Sequence, residues 1–208
     1  MANKKTLKES LRKAEEVRRD AVSVLKVSSV DVPSLNKYNL LDISKLLPDG
    51  LLTVEVMSLN KFYDGIGMTN INGGLEFYAS LLPQSPITIG EHGIIHLTKV
   101  PDNKSADCCI FDNFMDYLSF LKMTSFRTIK ELSCCDIILV GSVTNFPAVI
   151  ELCEHYRNIT CYFPYTTYGR TIHLTIKHKF GDKVFDGSKL FAGYKSLLEY
   201  VNDNYEEL

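Results

Sequence analysis

Acidic, amide and hydroxyl side chains stand directly after short apolar runs in the second half of the chain. Asp112, Asn113 and Asp116 follow the first of these runs. Ser142 and Asn145 follow the second. Carboxylates can ligate a hard cation such as Mg²⁺, whereas hydroxyl and amide groups ahead of a helix can cap it or hold an anion. After the third run, the following residues stand in the corresponding loop: Pro164, Thr166, Gly169 and Arg170.

The elements that must position these side chains alternate between strand and helix. Short apolar runs are separated by segments with apolar residues at three- and four-residue steps, which is typical of βαβ units. Such units form a parallel sheet with right-handed crossovers, and the carboxyl ends of its strands meet at one edge. We therefore predict an α/β domain over residues 101–208. Its strands are predicted at 108–111, 137–140 and 159–163, and its helices from 114 onward and at 146–157, 167–178 and 192–203.

Residues 28–100 have a different rhythm, with turn signals at Pro48-Asp49-Gly50 and Asn72-Gly73-Gly74. Between these turns lie short β-branched and aromatic runs, which predict hairpins. We expect an α+β subdomain whose residues 51–98 form an antiparallel layer. Ser34 is the predicted cap of a short helix after Val32-Pro33. The predicted strands are 51–56, 62–68, 75–79, 87–89 and 94–97.

Residues 1–27 are predicted to form a basic amphipathic helix, with its regular part over 5–26. Leu7, Leu11 and Ala14 begin an apolar stripe that recurs at helical spacing. Residues 1–26 hold eight Lys/Arg and four acids, a net charge of +4; since the chain carries −2, the remainder carries −6. This helix presents a solvated charged face, contacts nucleic acid, or docks a partner helix or a second copy. The candidate phosphate contacts are Lys8, Arg12 and Arg19.

Composition places the chain among globular proteins, with 45% hydrophobic and 23% charged residues. No apolar run approaches the roughly 20 residues that span a bilayer, and the N-terminus is polar, so we expect no membrane association and a cytoplasmic location. The six cysteines include no CxxC pair, which favours small buried hydrophobic residues over a zinc site. The 22 Tyr and Phe residues show no interleaving with basic residues and are predicted to be mostly core.

The motifs and their order resemble the Toprim domain of bacterial primases and topoisomerases, and most closely the primase-related Toprim proteins of bacterial mobile elements. In that family the first strand ends in Glu-Gly-x-x-Asp, and the third ends in Asp-x-Asp followed shortly by Ala-Gly. Asp112, Asn113 and Asp116 stand at the three positions of the first motif. Pro164 and Thr166 stand where the two aspartates belong, ahead of Gly169-Arg170.

Two further segments extend the likeness, which runs from about Asp31 to Asp203. The relatives carry Gly-Gly-Tyr-Glu before the Toprim strands, and Gly73-Gly74-Leu75-Glu76 is similar. They carry Gly-Tyr-Lys-Asp-Leu-Asn near the C-terminus, where this chain has Gly193-Tyr194-Lys195-Ser196-Leu197-Leu198. These relatives often carry a zinc ribbon ahead of Toprim; because no cysteine occurs before residue 108, we expect no zinc ribbon in residues 1–107.

The resemblance implies Mg²⁺-dependent phosphoryl or phosphodiester transfer, but the departures from the motifs weaken that expectation. Pro164 and Thr166 remove two anionic ligands, and Asp112 is one methylene shorter than the family's glutamate. We therefore expect degenerate catalytic motifs and no cofactor. Asp112 and Asp116 are candidate metal ligands, with helix capping or a surface position as the competing interpretation.

An active enzyme with relocated acids is the alternative, and only this alternative requires Mg²⁺. Asp186 is its candidate substitute ligand, provided that its carboxylate converges with those of Asp112 and Asp116.

The expected function is that of a catalytically degenerate Toprim-like protein. The resemblance implies that it acts by binding, not by catalysis, in DNA-linked processes of a mobile element. The expected partner is DNA or a protein of the replication or mobilisation machinery; a protein-interaction module is a further alternative. Capping competes with anion binding at the second loop, and a repacked loop competes with it at the third. Besides the N-terminal basic residues, the candidate phosphate or nucleic-acid contacts are Ser142, Asn145, Gly169, Arg170 and Lys195.

Overall fold

A computed structural model describes residues 22–82, 86–98, 106–125 and 135–204 of the chain. Within these residues the chain forms two five-stranded sheets. The strands of the first sheet are β1 (Val22–Ser29), β2 (Leu51–Ser58), β3 (Lys61–Thr69), β4 (Leu75–Tyr78) and β5 (Ile87–Ile89). The strands of the second sheet are β6 (Ile95–Leu97), β7 (Asp107–Phe111), β8 (Asp136–Leu139), β9 (Asn158–Tyr162) and β10 (Val184–Asp186). The helices are α1 (Val32–Lys37), α2 (Phe114–Ser125), α3 (Phe146–Cys153), α4 (Thr167–Phe180) and α5 (Leu197–Asn204).

The first sheet is an antiparallel meander in the order β1-β2-β3-β4-β5. Its β2–β3 hairpin closes at Ser58 opposite Lys61, through Leu59 and Asn60, which both have positive φ angles of 49° and 61°. A two-residue turn of this hand matches the right-handed twist of the flanking strands. The predicted strands β2 to β5 are confirmed within one or two residues at each end.

The predicted helix over residues 5–26 is wrong at its C-terminal end, because Val22–Ser29 is the strand β1. This strand pairs antiparallel with β2, and Lys26 forms an ion pair with Glu55 at 3.3 Å. Val22, Val24 and Val27 favour an extended backbone, and pairing with β2 outweighs the helical spacing. The rest of the predicted helix, with Lys8, Arg12 and Arg19, lies outside the described residues.

The second sheet has the order β10-β9-β7-β8-β6, and all neighbours are parallel except β6, which runs antiparallel to β8. The predicted α/β class, with a small parallel sheet and flanking helices preceded by an antiparallel β region, is confirmed. One strand changes place, because β6 belongs to the second sheet rather than to the predicted antiparallel layer over 51–98. The chain division at residue 100 stays a prediction.

Helix boundaries differ from the predictions where a cap or a tight turn intervenes. The backbone N–H of Ser34 donates to Asp31 Oδ1 at 2.8 Å, so Asp31 rather than Ser34 caps α1. The last helix begins at Leu197 instead of residue 192, after a 3₁₀ turn over Ser188–Phe191. Among the described helices, none combines the length and apolarity needed to cross a membrane.

The largest core cluster surrounds α2, whose residues 114–123 are all buried. This helix packs against β7, against α5, and against the 3₁₀ turn Leu41–Ile43 that follows α1. Phe111 stacks on Tyr162 with ring centroids 4.7 Å apart, and Phe120 contacts both rings. The predicted burial of the cysteines is confirmed for Cys108, Cys109, Cys153 and Cys161; Cys135 is half-buried, and Cys134 lies outside the described residues.

The side chain of Glu76, in the first sheet, packs against Gly141, in the loop after β8 of the second sheet. Gly141 has a φ of +68°, and a Cβ added to it would lie 3.0 Å from the Glu76 carboxylate. That carboxylate accepts the Thr88 hydroxyl at 2.9 Å and is buried, which raises the pKa of Glu76. Both the backbone conformation and the contact therefore favour glycine at residue 141.

We expect Gly141→Ala to destabilise the protein more than Gly181→Ala. Gly181 has nearly the same φ, +65°, but an added Cβ there would meet nothing within 4 Å. Both variants incur the cost of a left-handed alanine, about 1–2 kcal/mol, and only Gly141→Ala adds overpacking of about 1–3 kcal/mol. Urea denaturation of the two variants measures the difference. Equal losses in the free energy of unfolding would show that Glu76 does not constrain this loop.

Candidate functional site

The candidate site is the edge of the second sheet where β7, β8 and β9 end. Three loops meet this edge: Asp112-Asn113 before α2, Gly141–Asn145 before α3, and Phe163–Thr166 before α4. The first two are linked, because the Gly141 N–H donates to the Asp112 carbonyl at 2.8 Å. The predicted convergence of the three polar loops at one edge follows from the parallel pairing of β8, β7 and β9.

Asp112 is half-buried, and its carboxylate is engaged by a tyrosine. The Tyr168 hydroxyl, from the first turn of α4, donates to Asp112 Oδ1 at 3.0 Å. Burial raises the pKa of Asp112, while the hydrogen bonds from Tyr168 and Asn113 act in the opposite direction. The capping role considered for Asp112 belongs to Asn113 instead, whose Oδ1 accepts the Asp116 N–H at 3.0 Å. Asp112 is thus a desolvated carboxylate held by a neutral hydroxyl.

Asp116 is 2% exposed and faces the last helix, so a surface position is wrong for this residue. Its Oδ1 accepts the Leu198 N–H at 3.1 Å, and its Oδ2 accepts the Asn113 amide at 3.0 Å. Because the first N–H groups of a helix lack intrahelical partners, this carboxylate stabilises the start of α5. Burial raises the pKa of Asp116 to about 7, and the nearby charge of Asp112 contributes to that rise.

Pro164 and Thr166, the positions of the family's two aspartates, shape the start of α4. The Gly169 N–H donates to Thr166 Oγ1 at 3.2 Å, which makes Thr166 the N-cap of that helix. A Cβ added to Gly169 would lie 2.1 Å from the Pro164 carbonyl oxygen, so the buried glycine is required by close packing. Neither side chain offers a negative charge at the end of β9.

The loop after β8 is stabilised by its own side chains. Ser142 caps the 3₁₀ turn Val143–Asn145, and its hydroxyl lies 2.9 Å from that of Thr144. Asn145 is buried and donates to the carbonyls of Gly93 and Val140 at 2.9 and 2.7 Å. The Asn145 side chain therefore ties this loop to the segment ahead of β6.

A groove of about 370 Å³ lies beside the end of β9, between α4 and the loop after β10. The Arg170 guanidinium lies 4.5 Å from the centroid of the Tyr165 ring, and both residues are exposed. The Tyr165 N–H donates to the carbonyl of Lys195, whose side chain is also exposed. The groove is lined by residues that include Pro164, Tyr165, Arg170, His173, Asp186 and Ser188.

Asp186 does not join Asp112 and Asp116 in a ligand cluster. Its Oδ1 accepts both the backbone N–H and the hydroxyl of Ser188, within its own loop. In the described part of the chain, no group of three His, Cys, Asp or Glu side chains is placed to hold a metal ion. The residues present at this edge are a poor match for Mg²⁺, which requires charged oxygen ligands in near-octahedral geometry.

Two contacts were not visible in the sequence. Tyr168 follows the N-cap of α4 by two residues, but only the folded sheet shows that its hydroxyl reaches the end of β7. Tyr165 and Arg170 are five residues apart, which hides the stacking of a basic residue on an aromatic one.

Comparisons with known proteins add a likeness in fold alone. No protein-family model matches the sequence, and none of the curated proteins matches it. The crystal structure of the primase fragment of the bacteriophage T7 primase-helicase protein is similar, with 11% identity, a TM-score of 0.49, and coverage of 87% of this chain and 72% of that one. A chain in the structure of bacteriophage T7 lagging-strand DNA polymerase with primase domains of two gp4 subunits, bound to an RNA/DNA hybrid and dTTP, gives 12% identity, a TM-score of 0.46, and coverage of 86% and 83%. No role of any residue follows from similarities at this level.

We expect Asp116→Asn to remove a pH dependence of stability between about pH 4 and 7. The folded-state pKa of Asp116 lies above its ordinary value of 3.8, so the folded protein binds the proton more tightly than the unfolded chain. This stabilisation is fully present below the unfolded-state pKa and is lost as the pH rises through about 7. From pH 5 to 8 the wild type should lose on the order of 2–3 kcal/mol relative to Asp116→Asn.

Urea denaturation at several pH values tests this expectation, with Asp203→Asn, on the exposed face of α5, as the matched control. The control should follow the wild-type pH dependence. Parallel curves for wild type and Asp116→Asn would mean that the buried carboxylate does not titrate in this range.

Proposed function

We propose that this chain is a catalytically degenerate Toprim-like protein that binds nucleic acid without Mg²⁺-dependent phosphoryl or nucleotidyl transfer. The observation that carries the proposal is that both acids retained at the family's first motif are engaged within the chain. Asp116 stabilises the start of α5, and Asp112 accepts the Tyr168 hydroxyl. The two aspartates of the other motif are replaced by Pro164 and Thr166.

Electrostatics support the loss of catalysis. A bound divalent cation stabilises transition-state charge by several kcal/mol, and it must itself be held by anionic oxygens. Asp116 would leave the N-terminus of α5 unsatisfied if it turned toward the strand ends. Asp112 alone supplies one carboxylate, and burial raises its pKa.

The alternative with relocated acids gains no support from Asp186. That carboxylate is hydrogen-bonded to Ser188, and it lines the groove beside α4 instead of completing a set with Asp112 and Asp116.

A binding role is supported by exposed cations at the same edge. Both Arg170 and Lys195 contact Tyr165, in the loop after β9, through the Arg170 guanidinium and the Lys195 carbonyl, and both residues are exposed. Exposed guanidinium and ammonium groups attract phosphate, and aromatic rings beside them provide a surface for bases. DNA-linked processes of a mobile element, with DNA or a replication or mobilisation protein as partner, are proposed on the Toprim resemblance.

We expect the purified full-length protein to show no primer synthesis, nicking or nucleotidyl transfer in the presence of Mg²⁺ or Mn²⁺. Gel assays with labelled nucleotides and plasmid DNA measure these activities. Any of them, if abolished by Asp112→Ala, would overturn the proposal of a degenerate site. If an activity survives this substitution, mass spectrometry of the active fractions should show whether a contaminant is responsible. An activity that belongs to the chain itself, through an acid elsewhere, would also overturn the proposal.

We expect the protein to bind DNA with an affinity that falls as salt rises, because phosphate contacts release counterions. Arg170→Ala should weaken binding and lower the slope of log affinity against log salt by about one. Lys61→Ala, which removes an exposed cation at the β2–β3 hairpin of the first sheet, is the matched control and should change neither. Fluorescence anisotropy at 50 and 200 mM salt provides the measurement. No detectable DNA binding at 50 mM salt would contradict the proposed function.

A further inference from the structure

The groove beside α4 combines an aromatic ring, a cation and a limited volume. Its volume of about 370 Å³ is near the lower end of small-ligand pockets, which span roughly 300–1,000 Å³. Tyr165 enters it from the end of β9, and Arg170 and His173 enter it from successive turns of α4. Leu174, 63% exposed, adds an apolar wall. A groove of this kind suits a flat ring with an attached anion.

The Tyr165–Arg170 pair is preorganised. The guanidinium rests 4.5 Å from the ring centroid, within the range of a favourable cation–π contact. In the part of the chain that the structure describes, Arg170 makes no hydrogen bond or ion pair through its side chain, so its N–H donors remain available. Tyr165 is fixed at its backbone by the N–H that donates to the Lys195 carbonyl at 3.1 Å. The stacked pair can therefore receive a ligand without prior rearrangement.

Asp186, the carboxylate in the lining of the groove, is hydrogen-bonded within its own loop. Its Oδ1 accepts both the backbone N–H and the hydroxyl of Ser188. Among the described residues Asp186 forms no ion pair with Arg170, so the guanidinium can contact an anionic group of a ligand.

We infer that this groove binds one unpaired nucleotide, with its base stacked against the Tyr165–Arg170 pair and its phosphate contacting Arg170. The inference rests on the proposed nucleic-acid binding and names the form of ligand and the residues that hold it. Every base has a π-face, so stacking tolerates any sequence, and arginine adds a cation–π contribution. In a duplex both faces of each base are already stacked, so entry would require unstacking. The nucleotide is either part of a single strand or a free nucleoside monophosphate.

The test measures anisotropy of a labelled single-stranded 12-mer against the full-length protein, with the matching duplex and free AMP as competitors. We expect the single strand to bind at least tenfold more tightly than the duplex.

Tyr165→Ala should weaken single-strand binding by about tenfold or more, whereas Tyr165→Phe, which keeps the ring, should stay within about twofold of wild type. Arg170→Lys keeps the charge but loses the planar stack, so it should fall between wild type and Arg170→Ala. The control Lys61→Ala should bind like wild type, and unchanged thermal melting should show that each variant is folded.

The competitors separate the two sources of the nucleotide. Displacement by AMP at concentrations similar to those of unlabelled 12-mer would identify the free nucleotide as the ligand; preference for the 12-mer would identify the strand. Either result supports the groove only when Tyr165→Ala weakens that binding by about tenfold or more. DNA binding that depends on Arg170 but not on Tyr165, or equal affinity for duplex and single strand, overturns the inference and leaves the proposed function standing. Absence of all nucleic-acid binding overturns both.

Discussion

The buried carboxylate of Asp116 is the interaction on which the second half of the molecule depends. It joins α2, the most enclosed helix of the fold, to the first turn of α5 through the Leu198 N–H. A buried polar group without partners is costly, and so is a helix end without them, and the hydrogen bond between Asp116 Oδ1 and the Leu198 N–H provides each with a partner. The same bond fixes the direction in which this carboxylate points, which is toward α5.

This constraint changes what the edge of the second sheet can do. With Asp116 committed to α5, the strand ends present Asp112, and that carboxylate accepts the Tyr168 hydroxyl. Thr166 and Pro164 complete the edge by starting α4, not by adding charge. The polar groups at these strand ends therefore serve mainly to hold loops and helix ends in place. The neighbouring groove, in contrast, presents an exposed charged group, the Arg170 guanidinium, which stacks on the Tyr165 ring. This arrangement is the basis for proposing binding through the groove instead of metal chemistry at the acids.

The sequence predicted the α/β class because its signals are local. Apolar runs such as Cys108–Phe111 are short, bounded by turn residues, and followed by helical spacing, so strand and helix could be placed within a few residues. Val22–Lys26 was assigned to a helix because the spacing from Leu7 to Leu25 continues through it, although alternating Val22-Ser23-Val24 is equally typical of a strand. Pairing with β2, which decides between the two, is a non-local contact.

The site was harder to predict than the fold, because its chemistry depends on where side chains point. Asp116 reads in sequence as an acid in the first turn of a helix, and nothing local indicates that α5, about 80 residues later, covers it. The absence of acidic side chains at residues 164 and 166 was visible directly, but the hydrogen bond from the Tyr168 hydroxyl to Asp112 was not. The sequence indicates Arg170 as a candidate phosphate contact. It does not single out its stacking partner Tyr165, because the Tyr and Phe residues are predicted to be mostly core.

The most direct measurement is diffraction from crystals of the full-length protein grown with millimolar Mn²⁺, with data collected for an anomalous difference map. Mn²⁺ prefers the same oxygen ligands as Mg²⁺ and can be located by its anomalous signal. We expect no Mn²⁺ peak at coordination distance from the Asp112 carboxylate or from Thr166, and an intact hydrogen bond between Asp116 and the Leu198 N–H. A Mn²⁺ peak coordinated by Asp112, with Asp116 turned away from α5 to share it, would show instead that these acids form a metal site.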